Sequence, residues 1–492
     1  MCAWLRSRKG DHPPALPEYV PTSEASTIHI GGGIVSFRRK LCWLSLGAAS
    51  IAVAMLVAAC GGDNDNEKPS TTPGTAKATA GRTPTGDTTG VTDTEIRIAT
   101  LLPMSQSAAA TWGVSLSKGM QAYYNYINDN GGIYGRKIDL IVGDNQFSGP
   151  VASEVVRKLV EQEKVFAIQG SLGMTAHSAI YKYLEENGVP DMFILAGDKK
   201  WTEPVARNRF TFLVDFVIEG RILGQYIAEK FDGKKLGILA ENDDFGREGE
   251  EGLKLGIKDK NANIETVTEY YDEIQNDVSS QVQRLKNANV DVIGVYAMPM
   301  QAASLLKTAR ETLNWDVPIV ITGTDAVEIL GALAGYSNIE GAVSVVFGHQ
   351  AFDTDQPGIA RHIEMMAKYA PDVKPDNLTL VGQAVSEAMV SVLKQAGPDL
   401  TRESFLDAAE SVCEYTCDTC IVPASLSSTD HRYMQMEVYV RATGTDADTF
   451  RWEPFGEVVD FESTKDCVPP TPPPSYFDQP GPNWYEEAEP QE

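Results

Sequence analysis

The chain has 492 residues, of which 42% are hydrophobic and 22% charged, a balance typical of soluble globular proteins, and its length exceeds that of one compact domain. The formal net charge is -26, and so negative a surface repels nucleic-acid phosphates and anionic lipid headgroups. We therefore expect no nucleic-acid partner and expect a small solute as the ligand.

The N-terminal part has the layout of an export signal. Arg38, Arg39 and Lys40 precede an apolar run over 41–59 that ends in small residues before Cys60. This layout predicts a signal peptide over 35–59. An uncleaved membrane anchor is the alternative, since about 20 apolar residues span a bilayer. The small residues favour cleavage, and the patternless residues 1–34 are predicted to be untranslated.

Residues 57–60, with the sequence VAAC, resemble the bacterial lipobox. The resemblance implies a lipid on Cys60 and a protein anchored to the cell membrane, facing the extracytoplasmic side. Residues 60–91 contain few large apolar side chains and are predicted to be a flexible linker. The Pro-rich, acidic residues 462–492 are predicted to be a disordered tail.

Between these ends, β-rich runs alternate with helical patterns and turn residues. The predicted strands are 95–102, 137–142, 165–169, 192–195, 235–240, 264–271, 290–296 and 319–322. The predicted helices are 116–130, 151–163, 176–186, 218–231, 248–258, 278–288 and 300–313. This succession predicts an α/β fold with two doubly wound, Rossmann-like lobes. Ligands of such sheets bind beyond the carboxyl ends of the strands.

Four sequence patterns carry a family resemblance: INDNGGIYGRK at 127–137, NDDFG at 242–246, SSQV at 279–282 and WEPFGE at 452–457. From about Asp93 to Phe461 the chain resembles the type I periplasmic binding proteins, in particular the leucine/isoleucine/valine-binding and amide-type receptors of ABC transporters. The resemblance implies two lobes that close on a solute and pass it to a membrane permease. We expect a monomer without cofactor or metal.

The resemblance also implies where the chain passes between lobes. Three hinge crossovers are expected near Val214, Phe347 and His431. The first lobe would then contain 92–214 and 348–431, and the second lobe 215–347 and 432–461.

In related receptors, the loop that matches 170–175 binds a ligand carboxylate. Here the loop contributes Ser171, Gly173, Met174 and Thr175. It lies between a strand end and a helix start, where unpaired backbone N–H groups favour an anion. Met174 stands where amino acid receptors usually have a hydroxyl. This departure puts ordinary α-amino acid recognition in doubt.

The second hydroxyl position lies in the loop 197–202, which begins with Gly197 and has Lys199 instead. Lys199 would pair with an extra acid group of the ligand, or would be simply solvated. Trp112 and Phe245 match aromatic residues of the pocket, although large aromatic residues are also ordinary core residues.

Two further residues complete the predicted site. Met298 follows a strand that is expected to face the same cleft. The resemblance implies that Asp325, or its neighbour Thr324, lies near the position of an acid that binds the ligand's ammonium group.

The remaining cysteines are expected to form two disulfides, because exported thiols tend to oxidise and their number is even. The sequence does not choose among the three possible pairings, and a zinc site is the alternative. An iron–sulfur cluster, the third possibility for these cysteines, does not suit an exported chain. The four cysteines concerned are Cys413, Cys417, Cys420 and Cys467.

Catalytic motifs are missing from the sequence. The triplet DFG at 244–246 has no accompanying kinase motifs, and neither a Gly-x-Ser-x-Gly elbow nor a phosphate-binding loop occurs. We therefore predict a receptor and not an enzyme. A ligand sensor on the same fold and an exported hydrolase are the alternative functions.

Overall fold

The computed structural model describes residues 85–107, 109–461 and 467. The predicted residues 1–34, signal peptide 35–59 and lipid site Cys60 lie outside these ranges, as do most of the predicted linker and of the predicted tail. Within the described ranges, no helix combines the length and the apolar character needed to cross a membrane.

Twelve strands and thirteen α-helices are described in this part of the chain. The strands are β1 Glu95–Leu102, β2 Lys137–Asp144, β3 Ala167–Gln169, β4 Asp191–Ile194, β5 Arg209–Thr211, β6 Lys235–Glu241, β7 Glu265–Tyr271, β8 Val292–Tyr296, β9 Ile319–Ile321, β10 Val343–Val346, β11 Met436–Thr443 and β12 Arg451–Asp460. The helices are α1 Ala110–Asp129, α2 Gly149–Glu161, α3 Met174–Ser178, α4 Tyr181–Glu186, α5 Phe216–Phe231, α6 Asp244–Asp259, α7 Ser279–Asn287, α8 Pro299–Lys307, α9 Glu328–Ala334, α10 Tyr336–Ile339, α11 Pro357–Tyr369, α12 Asn377–Ala396 and α13 Arg402–Ala409.

The strands form two sheets. The first has five parallel strands in the order β2-β1-β3-β4-β5. The second has seven strands in the order β12-β11-β10-β9-β8-β6-β7, in which β11 is antiparallel to both of its neighbours and all other neighbouring strands are parallel. This architecture confirms the predicted α/β class with two parallel-sheet lobes.

Three connections join the two sheets. The first, 212–215, leads from β5 to α5. The second, 347–356, leads from β10 to α11, and the third, 410–435, leads from α13 to β11. The predicted crossing points lie in these connections: Val214, Phe347 and His431.

The third connection is hydrogen-bonded to the last residue of β5, where the chain leaves the first sheet. The Thr211 amide donates to the His431 carbonyl at 3.0 Å, and the Tyr433 amide donates to the Thr211 carbonyl at 3.1 Å. The two segments therefore form a short parallel pairing between the lobes.

Helix α12 lies directly against α1 because both helices have a glycine at their contact. A Cβ atom at Gly119 would lie 2.1 Å from the carbonyl oxygen of Thr379, and one at Gly382 would lie 2.3 Å from that of Leu116. Only glycine permits so close an approach of two backbones. The contact brings Leu116 and the facing surface of α12 to one side of the space between the lobes.

The N-terminus of α12 is held by a reciprocal cap. The Asp376 carboxylate accepts the Thr379 amide at 2.7 Å, while the Thr379 hydroxyl accepts the Asp376 amide at 2.9 Å. A capping box of this kind satisfies backbone donors that a helix start leaves unpaired. It holds the first turn of α12, which contributes Asn377 to the cavity described next.

Candidate functional site

A cavity of about 150 Å³ lies between the two lobes. Its wall includes residues that lie within three positions after strands of both sheets: Leu172 after β3, Leu195 after β4, Leu213 after β5, Gly323 after β9 and Phe347 after β10. The carboxyl ends of strands from both sheets therefore converge on one space, which is where open α/β sheets bind ligands.

Most side chains that line the cavity are aliphatic or aromatic. Helix α1 contributes Trp112 and Leu116, and α12 contributes Leu380, Val381 and Ala384. Such a wall favours a ligand with an apolar body, because burial stabilises by about 25 cal/mol for each Å² of apolar surface.

Two acidic side chains face this apolar space. Glu219, on α5, is 5% exposed and accepts a hydrogen bond from the Thr322 hydroxyl at 2.7 Å. Glu437, on β11, is 2% exposed, and its Oε2 has no hydrogen-bond partner among the described residues. Burial raises the pKa of both carboxyl groups, and the charge of Glu219 raises that of Glu437 further.

A third acid lies behind this wall. Asp325 is fully buried, and neither of its oxygens has a hydrogen-bond partner in the described part of the chain. Burial, followed by the charge of Glu219, raises the pKa of Asp325 well above the ordinary carboxyl value. Among the described residues, no lysine or arginine lines the cavity. The electrostatics of this wall therefore favour a cationic or neutral group and disfavour an anion.

The polar groups on the opposite side are largely paired with protein groups. The Asn377 side chain donates to Gln350 Oε1 at 2.5 Å and accepts the Ala351 amide at 2.8 Å. His349 Nδ1 lies 3.7 Å from an oxygen of Asp353. These contacts hold the second connection against the start of α12.

Of the predicted ligand-binding residues, Trp112 lines the cavity. In the loop 170–175 it is Leu172 that does so, while Ser171, Gly173, Met174 and Thr175 are outside the lining. Gly173 has a φ of 108° and directly precedes α3. The Ser171 hydroxyl is buried without a hydrogen-bond partner among the described residues. A role of these four residues in ligand binding stays a prediction.

The loop 197–202 contacts the other lobe. The Gly197 carbonyl accepts the Phe216 amide at 2.8 Å. The Lys199 amide donates to Glu248 Oε2 at 3.1 Å, and the Lys199 amine lies 3.1 Å from Glu251 Oε2 on α6. Lys199 thus joins the lobes through an ion pair outside the cavity lining, and its contact with a ligand acid stays a prediction.

The remaining predicted residues lie outside the cavity lining. The Phe245 ring packs edge-on against Phe216, which does line the cavity, at 4.8 Å between centroids. The Met298 amide donates to the Tyr271 hydroxyl at 3.0 Å. Asp325 is buried in the short turn that contributes Thr324 to the lining.

Neither cavity acid is among the site residues predicted from the sequence. Glu219 follows Phe216, Val217 and Ile218 in an otherwise apolar helix start, and Glu437 precedes the alternating apolar residues of β11. An acidic residue inside a buried apolar segment was the available signal, because such a residue seldom lies in a core without a specific role.

The four cysteines form two disulfides, Cys413–Cys467 and Cys417–Cys420. The first spans 54 residues, and the second spans three. Within the described residues, no cluster of metal-ligating side chains is found.

The comparisons with known proteins agree with this architecture. A family model described as periplasmic binding protein matches residues 95–447. The Leu/Ile/Val-binding protein homolog 1 of Brucella suis biovar 1 (strain 1330) is 23% identical over 301 residues, which cover 60% of this chain and 77% of the relative.

Two solved structures have the same fold. One is described as a fatty acid ABC transporter substrate-binding protein from Thermomonospora curvata, with a TM-score of 0.65, 23% identity, and coverage of 75% of this chain and 94% of that one. The other, a branched chain amino acid ABC transporter protein from Thermus thermophilus with bound valine, has a TM-score of 0.65, 17% identity, and coverage of 75% and 98%. Because the family model matches well over half of the chain, this protein belongs to the periplasmic binding protein family.

Proposed function

We propose that this protein is the extracytoplasmic solute receptor of an ABC importer. Its two lobes enclose a small solute whose apolar body fills the cavity and whose head group faces Glu219 and Glu437. The observation that carries this proposal is the cavity lining, which is apolar apart from a few polar groups and two buried acids. Small-molecule sites are typically apolar, with few polar groups that orient the ligand.

The similar proteins support a ligand with an apolar body. A protein solved with bound valine and one described as a fatty acid ABC transporter substrate-binding protein share this fold with the chain, and a sequence relative is named a Leu/Ile/Val-binding protein homolog. Those ligands differ in their head groups but all have aliphatic bodies. Leu116, Leu172, Leu195 and Leu213 provide a matching aliphatic wall here.

The charged groups around the cavity indicate which head group the ligand carries. A free carboxylate would find no lysine or arginine in the described lining to compensate its burial, whereas an ammonium group would compensate the cost of ionising Glu219 and Glu437. Of the predicted classes, amino acids and amides, which carry cationic or hydrogen-bond-donating groups, therefore suit this wall better than simple carboxylic acids.

A panel of solutes with one body and different heads tests the proposal. Hexan-1-amine, hexan-1-ol and hexanoate are compared with L-leucine by thermal shift and isothermal titration calorimetry on the full chain. At 100 times its dissociation constant, a ligand stabilises the folded state by about 2.7 kcal/mol. We expect the amine to raise the melting temperature most and hexanoate least. The largest shift with hexanoate would overturn the assignment of the head group.

Matched variants locate the head group. Glu219→Gln and Glu437→Gln are expected to weaken hexan-1-amine about tenfold or more and hexan-1-ol by less, since hydrogen bonds to charged groups contribute about 1.5–3 kcal/mol. Glu241→Gln is the control, because Glu241 is a buried acid that accepts from the Tyr271 hydroxyl and is outside the cavity lining. An equal effect of all three substitutions would argue against a specific site at the cavity acids.

The proposed receptor also delivers its solute to a membrane permease. We infer a monomer that is held at the membrane by a lipid on Cys60 and that presents its solute to a permease. The lipobox-like sequence supports this anchor. Labelled palmitate is expected in the wild-type protein and not in Cys60→Ala; label in both would refute the anchor. Intact mass tests whether residues 1–34 are translated.

A further inference from the structure

The small loop closed by Cys417 and Cys420 forms part of the cavity wall. Both cysteines are buried, with 3% and 4% exposure, and their disulfide encloses only Asp418 and Thr419. Thr419 lines the cavity, and its hydroxyl lies 3.5 Å from the sulfur of Cys417. The disulfide is therefore in direct contact with a residue of the wall.

The same loop is hydrogen-bonded to the second connection between the lobes. The His349 amide donates to the Thr419 carbonyl at 2.9 Å, and the Ile421 amide donates to the Phe347 carbonyl at 2.9 Å. Phe347 and His349 also line the cavity. The disulfide loop and the connection thus form one continuous, backbone-paired piece of wall.

Helices of the first lobe hold this piece from behind. The Asp418 amide donates to Glu387 Oε2 on α12 at 2.7 Å, and the Asp418 carboxylate lies 2.6 Å from Arg361 on α11. A Cβ atom at Gly358 would lie 1.8 Å from the Asp418 carbonyl oxygen. The backbone of the loop therefore packs directly against the backbone of α11 and cannot move closer to it.

We propose that the Cys417–Cys420 disulfide is a positioning element of the ligand site, which holds Thr419 and the connection at 347–349 in the geometry that receives the solute. A disulfide that spans three residues restricts the unfolded chain far less than one that spans 54, so its main effect falls on local shape. A wall that is already ordered lowers the entropic cost of binding.

The test compares two double variants in the full chain: Cys417→Ala with Cys420→Ala, and Cys413→Ala with Cys467→Ala as the matched control. Amide hydrogen exchange of His349 and Ile421 is measured without any ligand. We expect about tenfold faster exchange in the first variant and wild-type exchange in the control, because local opening governs these amides. Wild-type exchange in the first variant would overturn the proposal.

Binding of hexan-1-amine is the second readout. We expect the first variant to bind it about tenfold more weakly and the control to bind it within about twofold of wild type, since only the first loses an ordered wall. Equal weakening in both variants would reveal a merely global effect and would also overturn the proposal. If wild-type protein does not bind the amine, the proposed head group is wrong, and the exchange measurement still decides the role of the disulfide.

Discussion

The disulfide between Cys413 and Cys467 is expected to contribute strongly to stability. It joins the segment after α13 to the chain beyond β12 and spans 54 residues. Closing a loop of this length removes about 14 cal/mol/K from the entropy of the unfolded chain, which is about 4 kcal/mol at 25 °C. The three-residue Cys417–Cys420 loop yields only about 2 kcal/mol by the same relation.

Removal of either disulfide should lower the melting temperature by a measurable amount. The fold from β1 to β12 contains roughly 370 residues, and an unfolding entropy of about 2.1 cal/mol/K per residue amounts to about 0.8 kcal/mol/K. Cys413→Ala with Cys467→Ala should therefore lower the melting temperature by about 5 °C, and Cys417→Ala with Cys420→Ala by about half as much.

Calorimetry and urea unfolding of the full chain check this prediction under non-reducing conditions. Wild-type protein treated with a reductant serves as the control, since it should approach the stability of a variant that lacks both disulfides. A melting temperature within about 1 °C of wild type for the Cys413 and Cys467 variant would refute the loop-entropy reasoning. The same conclusion would follow if the short-loop variant lost more stability than the long-loop variant.

Three further predictions concern the interface of the lobes and the cavity. Burial raises the pKa of Glu248 to about 8, so the folded protein retains a proton that the unfolded chain releases near pH 4.5. Stability should therefore fall as pH rises from about 5 through about 8, and urea midpoints of Glu248→Gln should fall less steeply. Lys199→Met should change the affinity for hexan-1-amine by at most about fivefold in titration calorimetry, because its exposed ion pair with Glu251 contributes about 0.2–1 kcal/mol; a larger loss would indicate contact with the ligand. Ala384→Leu should fill part of the cavity and abolish hexan-1-amine binding while the melting temperature stays within about 2 °C of wild type; retained binding would place the solute elsewhere.

Much of the fold was predictable because periodicity and turn residues act locally. The strand predicted over 264–271 differs by one residue from β7, and the helix predicted to end at 130 ends at Asp129, followed by Gly131 and Gly132 at positive φ. The helix predicted from residue 116 begins at Ala110 instead. Strands β10 to β12 were not predicted at all, because β10 is short and β11 returns to it across about 90 residues.

Predicting the site was harder, because the site depends on which strand ends meet in the folded protein. Trp112 was expected near a ligand and does line the cavity, whereas Lys199 pairs with Glu251 and Phe245 packs behind Phe216. Family position alone does not reveal these contacts, since a shift of one residue changes the direction of a side chain.

The sequence by itself determined the α/β alternation, the motifs of the family and the presence of four cysteines in the C-terminal part of the chain. These properties depend on neighbouring residues and on composition. Tertiary structure alone decided that Glu219 and Glu437, distant in sequence, face one apolar cavity, and that Cys417 pairs with Cys420 beside it. Burial and pairing depend on contacts between distant segments. Burial raises the pKa of the two acids, and because the described lining contains no lysine or arginine, a cationic or neutral head group is favoured over an anion.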